Sequence, residues 1–115
     1  MSHVASCHCG ALAFTFEGEI DQALDCNCSL CRRRGVLLWF TPKSAVRFQV
    51  DPAALRTYTF NTHRLQHHFC GICGVAPFSE GIAPDGTETV AVNLRCVPAL
   101  DLAALKVVAH DGASR

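Results

Sequence analysis

Cys7-His8-Cys9-Gly10 and Cys70-Gly71-Ile72-Cys73-Gly74 are two short cysteine pairs lying far apart in one chain. A C-x-C and a C-x-x-C each offer two thiolates, and zinc takes four in a closed tetrahedral site. A metal shared by Cys7, Cys9, Cys70 and Cys73 would staple the first strand to the middle of the chain. Closing so long a loop restricts the unfolded ensemble. Around Cys70 the chain must reverse about the metal. Glycine accepts the positive φ such a turn needs, and the freed N–H groups can point at the sulfurs. Gly10 follows Cys9 in a similar way.

Between the pairs lies Asp25-Cys26-Asn27-Cys28-Ser29-Leu30-Cys31. Cys26, Cys28 and Cys31 supply three thiolates within six residues and leave a fourth coordination position open, the arrangement of a reactive site and not a structural one. Two other readings stand beside it. His8, His63, His67 or His68 could complete a second closed site. An iron–sulfur cluster is the other, although the longer spacings of ferredoxin-type binding are missing. Disulfides are disfavoured because a C-x-C ring is small and strained. No basic segment followed by an apolar one marks a signal peptide at the N-terminus, so a reducing, cytoplasmic setting is expected.

The donor type sets the chemistry. Three anionic sulfurs make zinc a weak Lewis acid, whereas activation of water is built with histidine-rich ligation. A soft trio suits a fourth sulfur, and a coordinating thiol is deprotonated outright. The expected chemistry is therefore thiol handling, with two zinc ions per chain, one structural and one exchangeable. Arg32, Arg33 and Arg34 follow directly. Arg32 and Arg33 are candidate substrate-binding residues, able to offset the charge of bound thiolate or grip a carboxylate; the plain alternative is a solvated basic turn. Asp25, His63 and His67 are candidate general bases. Trp39 and Phe40 are expected in the core, and Cys96 as a buried structural thiol.

With 115 residues the chain fits one domain, set at residues 3–112. Half of the residues are apolar and 17% are charged, which excludes a disordered chain. Formal net charge is zero, so no basic field points to nucleic acid. No apolar run reaches the length of a membrane span. Alternation at Leu12, Phe14 and Phe16 predicts a strand over 11–17, and further strands are expected over 35–40, 46–50, 56–60, 65–69, 75–79 and 87–94. Pro77 suggests an edge position, and Asp101 caps one helical turn. The sum is mainly β, in small antiparallel sheets.

Ser6-Cys7-His8-Cys9-Gly10, Cys26-Asn27-Cys28-Ser29-Leu30-Cys31-Arg32 and Phe69-Cys70-Gly71-Ile72-Cys73-Gly74 together resemble the glutathione-dependent formaldehyde-activating enzyme family, which includes the domain of centromere protein V. All seven cysteines match in order, and the resemblance runs from about Cys7 to Gly112. It implies a β-tent fold stapled by zinc. By motif, Cys7, Cys9, Cys70 and Cys73 would hold the structural zinc, and Cys26, Cys28 and Cys31 the catalytic one. The implied activity is that of a carbon–sulfur lyase joining glutathione, or a similar small thiol, to an aldehyde. The alternative is a zinc-stabilised binding module for protein or nucleic acid without catalysis.

Overall fold

The computed structural model describes residues 1–114. In chain order its strands are β1 (Ser2–Ser6), β2 (Leu12–Glu17), β3 (Gln22–Cys26), β4 (Leu38–Pro42), β5 (Val46–Val50), β6 (Leu55–Tyr58), β7 (Gln66–Cys70), β8 (Phe78–Ile82), β9 (Glu88–Asn93) and β10 (Lys106–His110). A single helical turn, α1 (Cys31–Arg34), lies between β3 and β4. The architecture is mainly β, as expected. β1, β2 and β5 pair antiparallel into one small sheet, and the other strands form a second sheet in the order β10-β3-β4-β9-β8-β7-β6. The second sheet is larger than expected and mixed, because β10 pairs with β3 in parallel. Among the described residues no helix is long and apolar enough to cross a membrane.

The core follows from the alternation. In β2, Leu12, Phe14 and Phe16 are buried on one face. Phe14 packs against Phe16, Phe48 and Phe78 with ring centroids 5.9, 5.8 and 5.2 Å apart. Val90 and Val92 of β9 and Leu94 of the 3-10 turn that follows it complete this cluster. A smaller cluster holds Cys7, Leu12, Ala54 and Cys70. The first cysteine of each pair, Cys7 and Cys70, is thus part of the packed interior, while Cys9 is exposed and Cys73 half-buried.

Several local expectations shift. Trp39 packs on Phe16 at 5.5 Å, but Phe40 is 52% exposed, because successive residues of β4 face opposite sides. Pro77 is fully buried just before β8, an interior strand, and so has no ladder bond to lose. Residues 35–37 precede β4 rather than opening it. Asp101 caps a 3-10 turn at Leu102–Ala104 through its Oδ1, which accepts from the Ala103 N–H.

Phe14→Ala should cost about 3–5 kcal/mol, the range for deleting a buried phenylalanine ring. Phe40→Ala should stay within about 0.5 kcal/mol. Urea unfolding of the reduced protein measures both; equal losses would contradict this packing.

Candidate metal centres

Cys7 and Cys9 sit in the turn between β1 and β2. Cys70 ends β7, and Cys73 follows in the turn toward β8. The two turns are built alike. Gly10 N–H donates to the Cys7 carbonyl and Gly74 N–H to the Cys70 carbonyl, with φ of +86° and +81° at the glycines. Both positions need the left-handed conformation that glycine adopts without strain. Gly71 serves differently: a Cβ there would lie 3.2 Å from the Ala54 carbonyl oxygen.

The four sulfurs lie within 4.8 Å of one another. Cys7 Sγ to Cys9 Sγ is 3.7 Å and Cys9 Sγ to Cys70 Sγ is 3.6 Å. Sulfurs roughly 2.3 Å from a tetrahedral zinc sit about 3.8 Å apart, so the set fits that ion. All eight cysteines are free thiols. Backbone N–H groups of Leu12, Ile72 and Cys73 point at the sulfurs of Cys7, Cys70 and Cys70 at 3.3, 3.4 and 3.5 Å. The N–H groups of Val75 and then Cys9 pull the Cys73 thiol down to about 6. These N–H groups favour the thiolates of Cys70 and Cys73, whereas Cys9 is raised to about 11, because the Ala11 N–H is outweighed by burial and by the neighbouring thiols.

Cys26 ends β3, Cys28 lies in the following turn and Cys31 begins α1, with the three sulfurs again within 4.8 Å. Among the described residues no histidine or carboxylate joins either group. Burial works against ionising Cys28, but the Cys31 N–H, 3.3 Å from its sulfur, the Cys31 thiol and further hydrogen bonds outweigh it and lower its pKa. Cys31 is pushed far up by burial, then by its bonds with Cys28 and by the charges of Cys28 and Cys26. Three thiolates this close repel unless a cation sits among them, so the donor set is one that a metal ion satisfies.

One flank of the trio is covered by the end of the chain. The Asn27 N–H donates to the His110 carbonyl at 3.1 Å. Its side chain donates to Asp111 Oδ1 at 3.1 Å and accepts from the Ala113 N–H at 2.9 Å. A Cβ on Gly112 would stand 2.6 Å from Cys26 Sγ, so only glycine admits this approach. Sequence reading missed this tail; a glycine and an asparagine so distant in the chain carry no pairing signal.

The arginines separate. Arg32 is exposed, and no hydrogen bond or ion pair among the described residues engages its side chain. Arg33 Nη1 donates to the Ser29 carbonyl at 2.8 Å and borders a cleft. Arg34 lies over the Phe69 ring at 6.0 Å; burial lowers its pKa while Cys31 and Tyr58 favour its charge. The general-base candidates fare differently. Asp25 neighbours Cys26 on β3 and therefore faces the other side of the sheet. His63 is exposed, 2.8 Å from the Thr59 hydroxyl. His67 is buried, stacked on Phe60, 3.2 Å from the Ser79 hydroxyl and held toward its neutral form by burial and then by Arg34. Cys96 is a buried thiol raised to about 11 by burial, then by the charges of Cys7 and Cys73.

Across β6, β7 and β8 runs a polar row that the sequence did not announce. Thr57 Oγ1 is 2.9 Å from His68 Nδ1, His68 Nε2 is 3.0 Å from Glu80 Oε2, and Lys43 Nζ is 3.1 Å from Glu80 Oε1. Burial opposes the Glu80 charge, but the bonds from His68 and Lys43 prevail and lower its pKa from 4.5.

A protein-family model described as glutathione-dependent formaldehyde-activating enzyme matches residues 2–109. A crystal structure of a Rhodobacter sphaeroides protein superposes with a TM-score of 0.76 at 26% identity, covering 91% of this chain and 99% of the other.

Two outcomes follow from this geometry. Asn27→Ala should speed amide exchange at Ala113 about fivefold, the equivalent of roughly 1 kcal/mol for the lost hydrogen bond; unchanged exchange would mean that the tail is held otherwise. The folded chain binds a proton at Glu80 less readily than the unfolded chain does. Its stabilisation is therefore full above the ordinary value of 4.5 and is lost as pH falls below it. Glu80→Gln should flatten the acid limb of a stability–pH curve measured by urea unfolding.

Proposed function

Because this chain belongs to the glutathione-dependent formaldehyde-activating enzyme family, we propose that it is a zinc-dependent enzyme of carbon–sulfur lyase type, forming or cleaving the adduct of a low-molecular-weight, glutathione-like thiol with an aldehyde. The observation that carries the reading is the inequality of the two cysteine groups. Four sulfurs close one site, and three converge at the other with no fourth protein donor beside them among the described residues. The fold unit that carries both is residues 3–112. Cys7, Cys9, Cys70 and Cys73 hold a structural zinc; Cys26, Cys28 and Cys31 hold an exchangeable one. Zinc at the trio would supply a place where an incoming thiol is held as its thiolate.

The chain's own groups do the rest. The Cys31 N–H directed at Cys28 Sγ spreads the negative charge of the trio. Guanidinium groups of Arg33 and Arg34 offset the charge that a bound thiolate adds, while Arg32 is placed to meet a substrate carboxylate only at the surface. The Gly112 tail shuts solvent away from Cys26. His67, near Arg34 and kept neutral, is the candidate to exchange a proton with the aldehyde oxygen. A thiol pool of this kind belongs to a reducing, cytoplasmic compartment.

Zinc analysis of reduced protein should find two ions per chain. Cys28→Ser should remove one of them and abolish thiol-dependent aldehyde consumption while leaving the unfolding midpoint nearly unchanged. Cys73→Ser should remove the other and destabilise the fold by several kcal/mol, on the order of the metal's coupling to folding. Two ions that survive with no thiol-dependent turnover would leave a zinc-stabilised binding module instead.

A further inference from the structure

Beside the trio lies a cleft of about 230 Å³ lined by Ser29, Leu30, Arg33, Tyr58 and Phe60. Ser29 and Leu30 are the residues between Cys28 and Cys31, so one wall of the cleft is the metal-binding turn itself. The other wall is aromatic. Tyr58 and Phe60 stack at 5.7 Å with planes 17° apart, and Phe60 stacks on His67 at 5.3 Å. Tyr58 lines the cleft and is 48% exposed. At the rim, Arg33 is anchored by its bond to the Ser29 carbonyl, and the rest of its guanidinium keeps free N–H donors. The Gly112 tail already occupies another flank of the trio, against Cys26.

Resting on the reading of the trio as a thiol-adduct site, we propose that this cleft receives the carbon half of the adduct, and that the aldehyde is an aryl aldehyde bearing a carboxylate rather than formaldehyde. Stacked rings accept another flat ring in offset geometry. A guanidinium fixed at the rim pairs with a carboxylate in a planar, two-pronged contact. Formaldehyde has no group to place in the cleft. The volume is below the roughly 300–1,000 Å³ of ordinary ligand pockets, so it takes one ring-sized group and leaves the peptide part of the thiol outside. The reaction balances without a redox partner. The sulfur adds to the carbonyl carbon, the C–S bond forms, the π pair moves to oxygen, and the proton lost by the thiol ends on that oxygen.

Two measurements on reduced, zinc-loaded protein test this. The first compares kcat/KM for glutathione with 4-carboxybenzaldehyde and with formaldehyde, where at least a tenfold preference for the aryl aldehyde is expected. In Tyr58→Ala/Phe60→Ala that preference should fall toward one. The second reads binding without turnover. Tyr58 is the sole tyrosine of the chain, so its ring-proton resonances are unambiguous. Titration with 4-(hydroxymethyl)benzoate, with no thiol present, should shift them, and Arg33→Gln should weaken that binding about tenfold while leaving benzyl alcohol binding unaltered. Formaldehyde used as well as the aryl aldehyde, or Tyr58 resonances that do not move, overturns the subsite and leaves the proposed function standing. Consumption of neither aldehyde overturns the proposed function and the subsite with it.

Discussion

The four-thiol junction of Cys7, Cys9, Cys70 and Cys73 is the constraint on which the rest depends. One pair belongs to the β1–β2 turn of the small sheet and the other to the β7–β8 turn of the large one. The sulfurs stand at tetrahedral-edge distances across that boundary, with N–H groups of both turns directed at them. Two sheets that share an aromatic core can slide; a metal ion held by the four sulfurs would pin them to each other at this end. The buried surface of a domain this size is modest, so the binding free energy of such an ion, being also folding free energy, would be a substantial addition.

The second cysteine group is held by the elements on either side of it. Cys26 is fixed by β3 and Cys31 by α1, so the spacing of the sulfurs is set by backbone geometry before any ion arrives. The electrostatics complement this. Cys31 resists ionisation mainly because it is buried and because its neighbours are thiols. A dication among the sulfurs would reverse that sign and leave one negative charge for nearby guanidinium groups to offset.

Much of this was legible from residue types at fixed spacing. Cysteine spacing marked both groups, and period-two alternation marked β2, β5 and β9, because a half-buried strand must alternate. What escaped has physical causes. β1, β3 and β10 are short, with small or polar residues such as Ser2, His3, Gln22 and Lys106, so their pattern is weak. They exist because neighbouring strands offer ladders, a tertiary effect that local propensity does not encode. Phe40 was misplaced because an apolar run says how buried a segment is on average and not which side each residue faces. At the site, the run Arg32, Arg33 and Arg34 announced charge, but only the turn geometry separates a surface guanidinium from one at a cleft rim and one over Phe69.

The single parallel pairing explains why the end of the chain reaches the trio at all. β10 runs alongside β3 with His110 opposite Cys26. In a parallel pair the C-terminal ends coincide, so the chain leaves β10 where Cys26 leaves β3, and residues 111–113 continue over Asn27 and Cys26 Sγ. An antiparallel β10 would bring Lys106 to Cys26 and send the tail to the far end of the strand. β9 runs in the same direction as β10 with β4 and β3 between them, so the turns at 94–104 carry the chain back and across the sheet before β10 begins. The one departure from antiparallel order in the large sheet is therefore the feature that places Gly112 beside the turn of Cys26, Cys28 and Cys31.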